Sequence, residues 1–425
     1  MLCSSDHEVF SIDRDGTNRR HLFNADGQAF RFAWKPDGTS LRFAVFHENE
    51  TLTLWDASAS GMNPHEVLPG WNHTPDECCG SWTPNGKSYV FRSVQNGQED
   101  LWLLREPSRW PWVAKPKPIR LSNGPTSFSE PLIGPDGRRI FALGNQARGY
   151  VARFDERRSE FVPFPLPNRA FDLAFSADGK WVAYIQQPSL TLWRSRVDGT
   201  EPLQLTTSPM KALQPRWSRD GKVIVFTGRY PANYFTAYVV SADGGTPQPV
   251  LDHDLYYRTY VDWSPDGQSV VIGMGPGRNP DGGITVANLK THAVSEIPGS
   301  KGMRLPRWSP NGDYLAATSE DTKTVFLFDA RSQQWKKMDT VGQVYGHEWE
   351  RDGSYFYYQD SRDPEQAVFR LQPKTGKIDK LIDFTSLLRD GAMRVAFEGP
   401  APDGSIVVSV GSSWSDLYSF DVDLR

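Results

Sequence analysis

Alternating apolar and polar residues recur along the 425-residue chain in short stretches, each cut off by a polar turn. KVIVFTG (222–228), SYVFRSV (88–94) and KWVAYIQ (180–186) read as half-buried strands. Each follows a turn of the form x-Asp/Asn-Gly, where glycine supplies the positive φ of a tight hairpin. A further strand comes next, as in TLWRSRVDG (191–199) or AYVVSADGG (237–245), and ends in a second Asp-Gly turn. A short fourth strand closes the unit, as in EPLQLT (201–206) or PQPVL (247–251).

The unit repeats. Nine phrases recur: FAWKPDG, GSWTPNG, PLIGPDG, LAFSADG, PRWSRDG, VDWSPDG, PRWSPNG, HEWERDG and EGPAPDG, with the Asp or Asn at 37, 85, 136, 178, 220, 266, 311, 352 and 403. Spacings of 41 to 51 residues suit a four-stranded β unit and are too long for a helical hairpin. Three residues before the Asp or Asn stands an aromatic in seven copies: Trp34, Trp82, Phe175, Trp217, Trp263, Trp308 and Trp349. Large side chains at one phase of the repeat are expected to fill the space between neighbouring sheets. The pattern predicts an all-β chain: a β-propeller of about nine four-stranded blades. The last repeat ends after its third strand, and EFVPF (160–164) is a strand able to complete it. Residues 158–425 are then expected to close a six-bladed ring, with 1–157 carrying three blades of an incomplete second ring. The rival reading is one large ring closed by VFSIDRDGTNRRHLF (9–23).

Composition narrows the function classes. Forty-seven Lys and Arg against 51 Asp and Glu give a net charge of −4, which offers no electrostatic footprint for nucleic acid or an acidic membrane surface. Fifteen Trp, 36 Gly and 32 Pro fit an all-β chain with many turns. Cysteine occurs three times, at Cys3 and the vicinal Cys78–Cys79. An odd count is no disulfide framework, and two buried small residues on a strand are the favoured reading of the pair. No apolar run is long enough to span a bilayer. The opening MLCSSDHEVF lacks the basic start and sustained apolar stretch of a signal peptide, and leads straight into strand-like sequence, as expected of a chain beginning partway through a larger protein.

The W-S-P-D-G phrase followed by a K-x-I-x-F strand resembles TolB-like, WD-repeat-like propeller repeats, also found in tricorn-type and dipeptidyl-peptidase propellers. GWNHTPDECCGSWTPNGKSYVF (70–91), LWRSRVDGTEPLQLT (192–206), PRWSPNGDYLAATSEDTKTVFLFD (306–329) and the final DLYSFDVDLR also look like the C-terminal repeats of large acidobacterial proteins. In that group a winged-helix DNA-binding domain and one membrane span often precede such repeats. Neither pattern occurs before residue 31, so the resemblance implies the sensor half of a membrane-tethered regulator, periplasmic if so tethered, or a shorter relative that never had the other half, with no DNA contact of its own in either case.

Catalytic strings are sparse. The nearest approach to G-x-S-x-G is GSSWSDL (411–417), in a predicted strand pair, and no H-E-x-x-H, Cys-x-x-Cys or P-loop occurs. DRDGTN (13–18) lacks the glycine and glutamate of a calcium loop and reads as a plain turn. The eight His are scattered, so neither metal nor cofactor is expected. In an antiparallel blade the Asp-Gly turns share one face, and the loops leading into each first strand surround the channel mouth at the other. Those loops vary and carry Trp71, His73, Tyr256, Tyr257, Arg258, Arg304, Tyr345, His347 and Arg389, the candidate binding residues for a protein or peptide partner. A proline-rich insertion, 105–121, adds Trp110 and Trp112. The function expected on these grounds is a non-catalytic binding or scaffold module, not an enzyme. The alternative is a hydrolase or lyase with its site in the channel, for which Glu77, Arg258, His347 and Glu348 would have to converge.

Overall fold

Where Ser or Thr stands two residues before the Asp or Asn, the turn phrase folds into the same small knot of hydrogen bonds. In the repeat at 176–181, the Ser176 hydroxyl donates to Asp178 Oδ1 at 2.6 Å, the Lys180 amide donates to that same oxygen at 3.0 Å, and the Trp181 amide donates to Ser176 Oγ at 3.0 Å. Ser218–Asp220, Ser264–Asp266 and Ser309–Asn311 repeat it. Gly179 sits at φ +71°, where a side chain is strained and a Cβ would meet Pro402 at 2.9 Å. The computed structural model describes all residues except 1, 6, 48–50, 74, 96–97, 107–116, 125, 231–234, 252–258, 275–281, 341, 361 and 423–425. Among the described residues the strands form nine antiparallel sheets, most of them four-stranded, and the one α-helix is the short Thr385–Arg389. The chain is an all-β propeller protein.

The repeat tryptophans join consecutive sheets. Trp217 Nε1 donates to the Ala174 carbonyl at 2.9 Å, Trp263 Nε1 to Arg216 at 3.0 Å, and Trp349 Nε1 to Arg307 at 3.0 Å. In each case the acceptor lies on the first strand of the preceding sheet. A buried indole needs both an apolar slot and a hydrogen-bond acceptor, and this corner supplies the two together. Trp34 differs: it follows a three-stranded sheet and stays 47% exposed. Cys78 and Cys79 are disulfide-linked to each other, where the sequence favoured two buried thiols.

The chain divides into two compact units, Met1–Ala147 with Ser413–Arg425, and Arg148–Ser412. In the first, sheets follow one another through apolar layers: Val9, Phe23 and Phe43, then Leu54, Trp82 and Phe91, then Leu101, Phe128 and Ile140 with Phe420. In the second, five four-stranded sheets span Ala170–Gln204, Lys211–Pro249, Thr259–Glu296, Arg304–Met338 and Val344–Ile382.

A sixth sheet is assembled from distant segments. Arg394–Pro400 pairs with the start of Ile406–Asp421, which pairs with the end of Arg139–Asp155, which pairs with Glu160–Pro163. Residues 148–155, grouped by repeat order with the first three blades, thus supply its third strand. Val151 and Val407 of this sheet pack on Val182 and Tyr184 of the first, and Val395 and Phe397 pack with Tyr357 and Val368 of the fifth. The six innermost strands, Ala170–Phe175, Lys211–Trp217, Thr259–Trp263, Arg304–Trp308, Val344–Trp349 and Arg394–Pro400, touch one another in that order, and the last touches the first. That cycle surrounds a channel. Each fully buried Val, Leu or Phe in these layers is worth about 1.5–3 kcal/mol relative to exposure.

Candidate functional site

What faces the channel follows from one irregularity. Innermost strands carry a register shift two to four residues before the tryptophan corner: between Phe171 and Ala174, Leu213 and Arg216, Arg304 and Arg307, Tyr345 and His347, and Phe397 and Gly399. Asp172, Gln214 and Leu305 take positive φ of 50°, 50° and 54° there. A bulge bends the strand and re-aims its side chains, so polar residues in otherwise apolar strands can turn toward the axis.

In the second unit the position four residues before the turn Asp or Asn carries Arg216, Asp262, Arg307 and Glu348 in four successive blades. Arg216 Nη2 lies 3.3 Å from Glu348 Oε2. Asp262 accepts the Trp263 amide and, from the next blade, the Trp308 amide, each at 2.9 Å. Burial pushes the Asp262 carboxyl up to about 6 against the pull of Arg307 and Arg216. Arg307 Nη1 donates to the Val261 and Pro306 carbonyls at 3.1 and 3.0 Å. Burial, then repulsion from Arg216, brings its guanidinium down to about 10.

Two further carboxyls stand where the sixth blade meets the first. Glu398 accepts the Leu173 amide at 2.8 Å and the Ser409 hydroxyl at 2.5 Å, and Asp172 accepts the Gln214 amide at 3.1 Å. Burial, reinforced by the negative charge of Asp172, pushes Glu398 up to about 7, and burial raises Asp172 as well. Each carboxyl's charge disfavours ionisation of the other, in the same direction as burial. Beside them opens a cavity of about 380 Å³ whose walls include Arg169, Arg216, Arg307, Arg394, Asp172 and Glu398. A second cavity of about 440 Å³ on the Asp-Gly side has Trp217, Trp263, Trp308 and Trp349 in its walls.

Two of the candidate residues from the sequence, Tyr345 and His347, line the first cavity. Burial and the neighbouring Arg307 and Arg216 hold His347 well below its usual range, and its Nε2 donates to the Leu305 carbonyl at 3.1 Å as a neutral ring. The Tyr345 hydroxyl accepts from Arg394 Nη2 at 2.5 Å. Arg304 is buried and paired with Glu320 at 3.0 Å, and Arg389 is exposed on the short helix. Trp71 and His73 belong to the first unit, where Trp71 packs edge-on against Trp102 at 4.9 Å and His73 is exposed. Tyr256, Tyr257 and Arg258, like Trp110 and Trp112, lie outside the described residues. Of the four residues offered for convergence, His347 and Glu348 share the cavity wall, whereas Glu77 is in the first unit. Sequence reasoning missed Asp172, Arg216, Arg307 and Glu398. For Arg216 and Arg307 a signal existed: charges at one phase of a strand whose other copies include Ala33, Ser81, Leu132, Ala174 and Gly399. Among the described residues no group of three or more His, Cys, Asp or Glu side chains is arranged to hold a metal ion, and no helix is long and apolar enough to cross a membrane.

No established protein-family profile matches the chain. Two curated proteins are similar to it: Dipeptidyl-peptidase 5 of Porphyromonas gingivalis, 19% identical over 416 residues, and the uncharacterized peptidase YuxL of Bacillus subtilis, 25% identical over 122 residues. The first match covers 89% of this chain and 57% of that protein, the second 26% and 18%, so the chain spans little more than half the length of the first relative and less than a fifth of the second. Similar solved structures include a protein described as TolB from Agrobacterium tumefaciens, at 17% identity and TM-score 0.46, covering 65% of this chain and 99% of that one. An oligogalacturonate lyase from Vibrio parahaemolyticus aligns at 11% identity and TM-score 0.34, covering 88% and 99%. The expectation of a chain that is no enzyme is corrected by the curated relatives, both of which carry peptidase names. Residues that six separate strands bring to one channel leave no contiguous string in the sequence to read.

Proposed function

We propose that the chain serves an enzyme of the hydrolase class acting on peptides, and that the channel of the second unit is where the substrate is taken and turned over. The observation that carries this reading is the juxtaposition, around one cavity, of the carboxyls of Asp172 and Glu398 with several arginines. The peptidase names of the curated relatives support it.

The chemistry follows from the groups present. Arginines in a low-dielectric wall hold a substrate carboxylate through paired N–H donors. Of Asp172 and Glu398, the ionised carboxyl removes a proton from water as its oxygen bonds to the amide carbon. The protonated one gives its proton to the departing nitrogen as the C–N bond breaks, leaving a carboxylic acid and an amine. This needs one proton on the pair, so cleavage is expected to fall as pH rises through about 7, where Glu398 ionises. The test is incubation of the full chain with a mixture of short peptides, followed by mass spectrometry. The expected result is cleavage that Glu398→Gln abolishes without changing the circular dichroism spectrum. Intact peptides after exposure to folded wild-type protein between pH 5 and 8 would overturn the reading.

A further inference from the structure

Arg216 and Glu348 stand on opposite sides of the ring. Their strands, Lys211–Trp217 and Val344–Trp349, are three steps apart in either direction around the six-membered cycle of innermost strands. Yet the guanidinium and the carboxylate meet at 3.3 Å, so the pair runs across the bore. Both side chains belong to the walls of both cavities, the one toward the loops and the one toward the Asp-Gly turns. The pair is therefore a bar between two chambers.

Few contacts hold the bar in place. Glu348 rests against Gly399, where a Cβ would lie 3.2 Å from Glu348 Cγ, so glycine at that place leaves room for the side chain. Its Oε1 accepts the Trp349 amide at 3.1 Å, while Oε2 faces Arg216. Arg216 is otherwise tied through Nη1 to the Pro215 carbonyl, and among the described residues its buried Nε and that of Arg307 have no hydrogen-bond partner. Unpaired buried donors beside a carboxylate that can leave make an anion site whose resident anion is the protein's own.

We propose that the Arg216–Glu348 pair is a latch across the bore, opened when the terminal carboxylate of a peptide takes the place of Glu348 on Arg216. This rests on the peptide reading above and adds to it: substrates with a free C-terminal carboxylate are preferred over their amides, and their binding joins the two chambers.

The test uses the full chain and N-acetylated tri-alanine as free acid and as amide, with binding measured by calorimetry. Glu348→Gln is expected to tighten the acid about tenfold, the loss of one charge-assisted competitor, and to leave the amide unchanged. Arg216→Gln is expected to abolish the preference for the acid. The double exchange Arg216→Glu with Glu348→Arg restores the bar, and is expected to keep a near-wild-type melting temperature without acid preference. Unaltered acid affinity in Glu348→Gln, retained acid preference in folded Arg216→Gln, or no binding to any variant would overturn the latch. The expected binding pattern without cleavage would leave the latch standing and remove the hydrolytic reading. Cleavage with binding unaffected by Glu348→Gln would do the reverse.

Discussion

Repeats of the two units share the Asp-Gly or Asn-Gly turn, and Trp82, Trp217, Trp263 and Trp349 share the indole corner, but one inner position differs. It carries Ala33, Ser81 and Leu132 in the first unit, and in the second Ala174 and Gly399 at the ends of a run of four charged residues, Arg216, Asp262, Arg307 and Glu348. Thr83 and Asn85 make the same turn bond as Ser218 and Asp220, at 2.8 and 2.7 Å, and Trp82 donates to the Ala33 carbonyl much as Trp263 does to that of Arg216, at 3.4 and 3.0 Å. The indole corner forms on the carbonyl of Ala33 and on that of Arg216 alike. Because the corner uses backbone carbonyls as acceptors, the side chain at the inner position is left free to carry chemistry.

That difference is open to direct tests. Asp262→Ala is expected to have the largest effect, about 3–5 kcal/mol in urea unfolding, because it strands two amides and the buried Arg307 together. Trp263→Phe comes next, at about 1–2 kcal/mol for a lost hydrogen bond and indole volume, whereas Trp34→Phe, half exposed, is expected to stay within about 0.5 kcal/mol. Ser81→Ala, at the same repeat position as Asp262 but accepting only a 3.4 Å bond from the Ile133 amide, is expected to cost at most about 0.5 kcal/mol. Equal losses for Asp262→Ala and Ser81→Ala would erase the contrast.

Acidity sharpens it further. Glu398 and Glu77 are both pushed up to about 7 from 4.5, chiefly by burial. Carboxyls raised on folding contribute stability that is fully present below about 4.5 and lost as pH rises through about 7. The turn carboxylates Asp178, Asp220 and Asp266 are lowered, first by the serine hydroxyl and then by a backbone amide, and their contribution is lost in acid instead. Thermal stability is therefore expected to decline from about pH 5 to 7, and Glu398→Gln is expected to flatten part of that decline. A melting temperature that rises over this range would contradict the assignment.

The repeat architecture was legible because turns and aromatic corners are local: a hydroxyl, a carboxylate and a glycine within four residues, and a tryptophan at fixed phase. The assembly of the sixth sheet was not. The register that pairs the start of Ile406–Asp421 with the end of Arg139–Asp155 is set by contacts between segments some 250 residues apart, and nothing in either segment announces its partner. The candidate site was half legible. Loop position drew attention to Tyr345 and His347, which do line the cavity. Arg216 and Arg307 were hidden inside PRWS phrases read as packing corners, and the proximity of Asp172 to Glu398 depends on ring geometry.

Glu77 and Glu398 offer the most direct test of the central claim, because burial raises both alike while one belongs to the first unit and the other lines the channel of the second. Glu77 is held by Asn72 at 2.8 Å and Ser93 at 3.3 Å. Peptide cleavage by full-length Glu398→Gln and Glu77→Gln, each checked for folding, separates a general need for buried acid from a site in the channel. The account predicts that cleavage is lost in Glu398→Gln and kept in Glu77→Gln. Cleavage that survives Glu398→Gln and disappears with Glu77→Gln would contradict it.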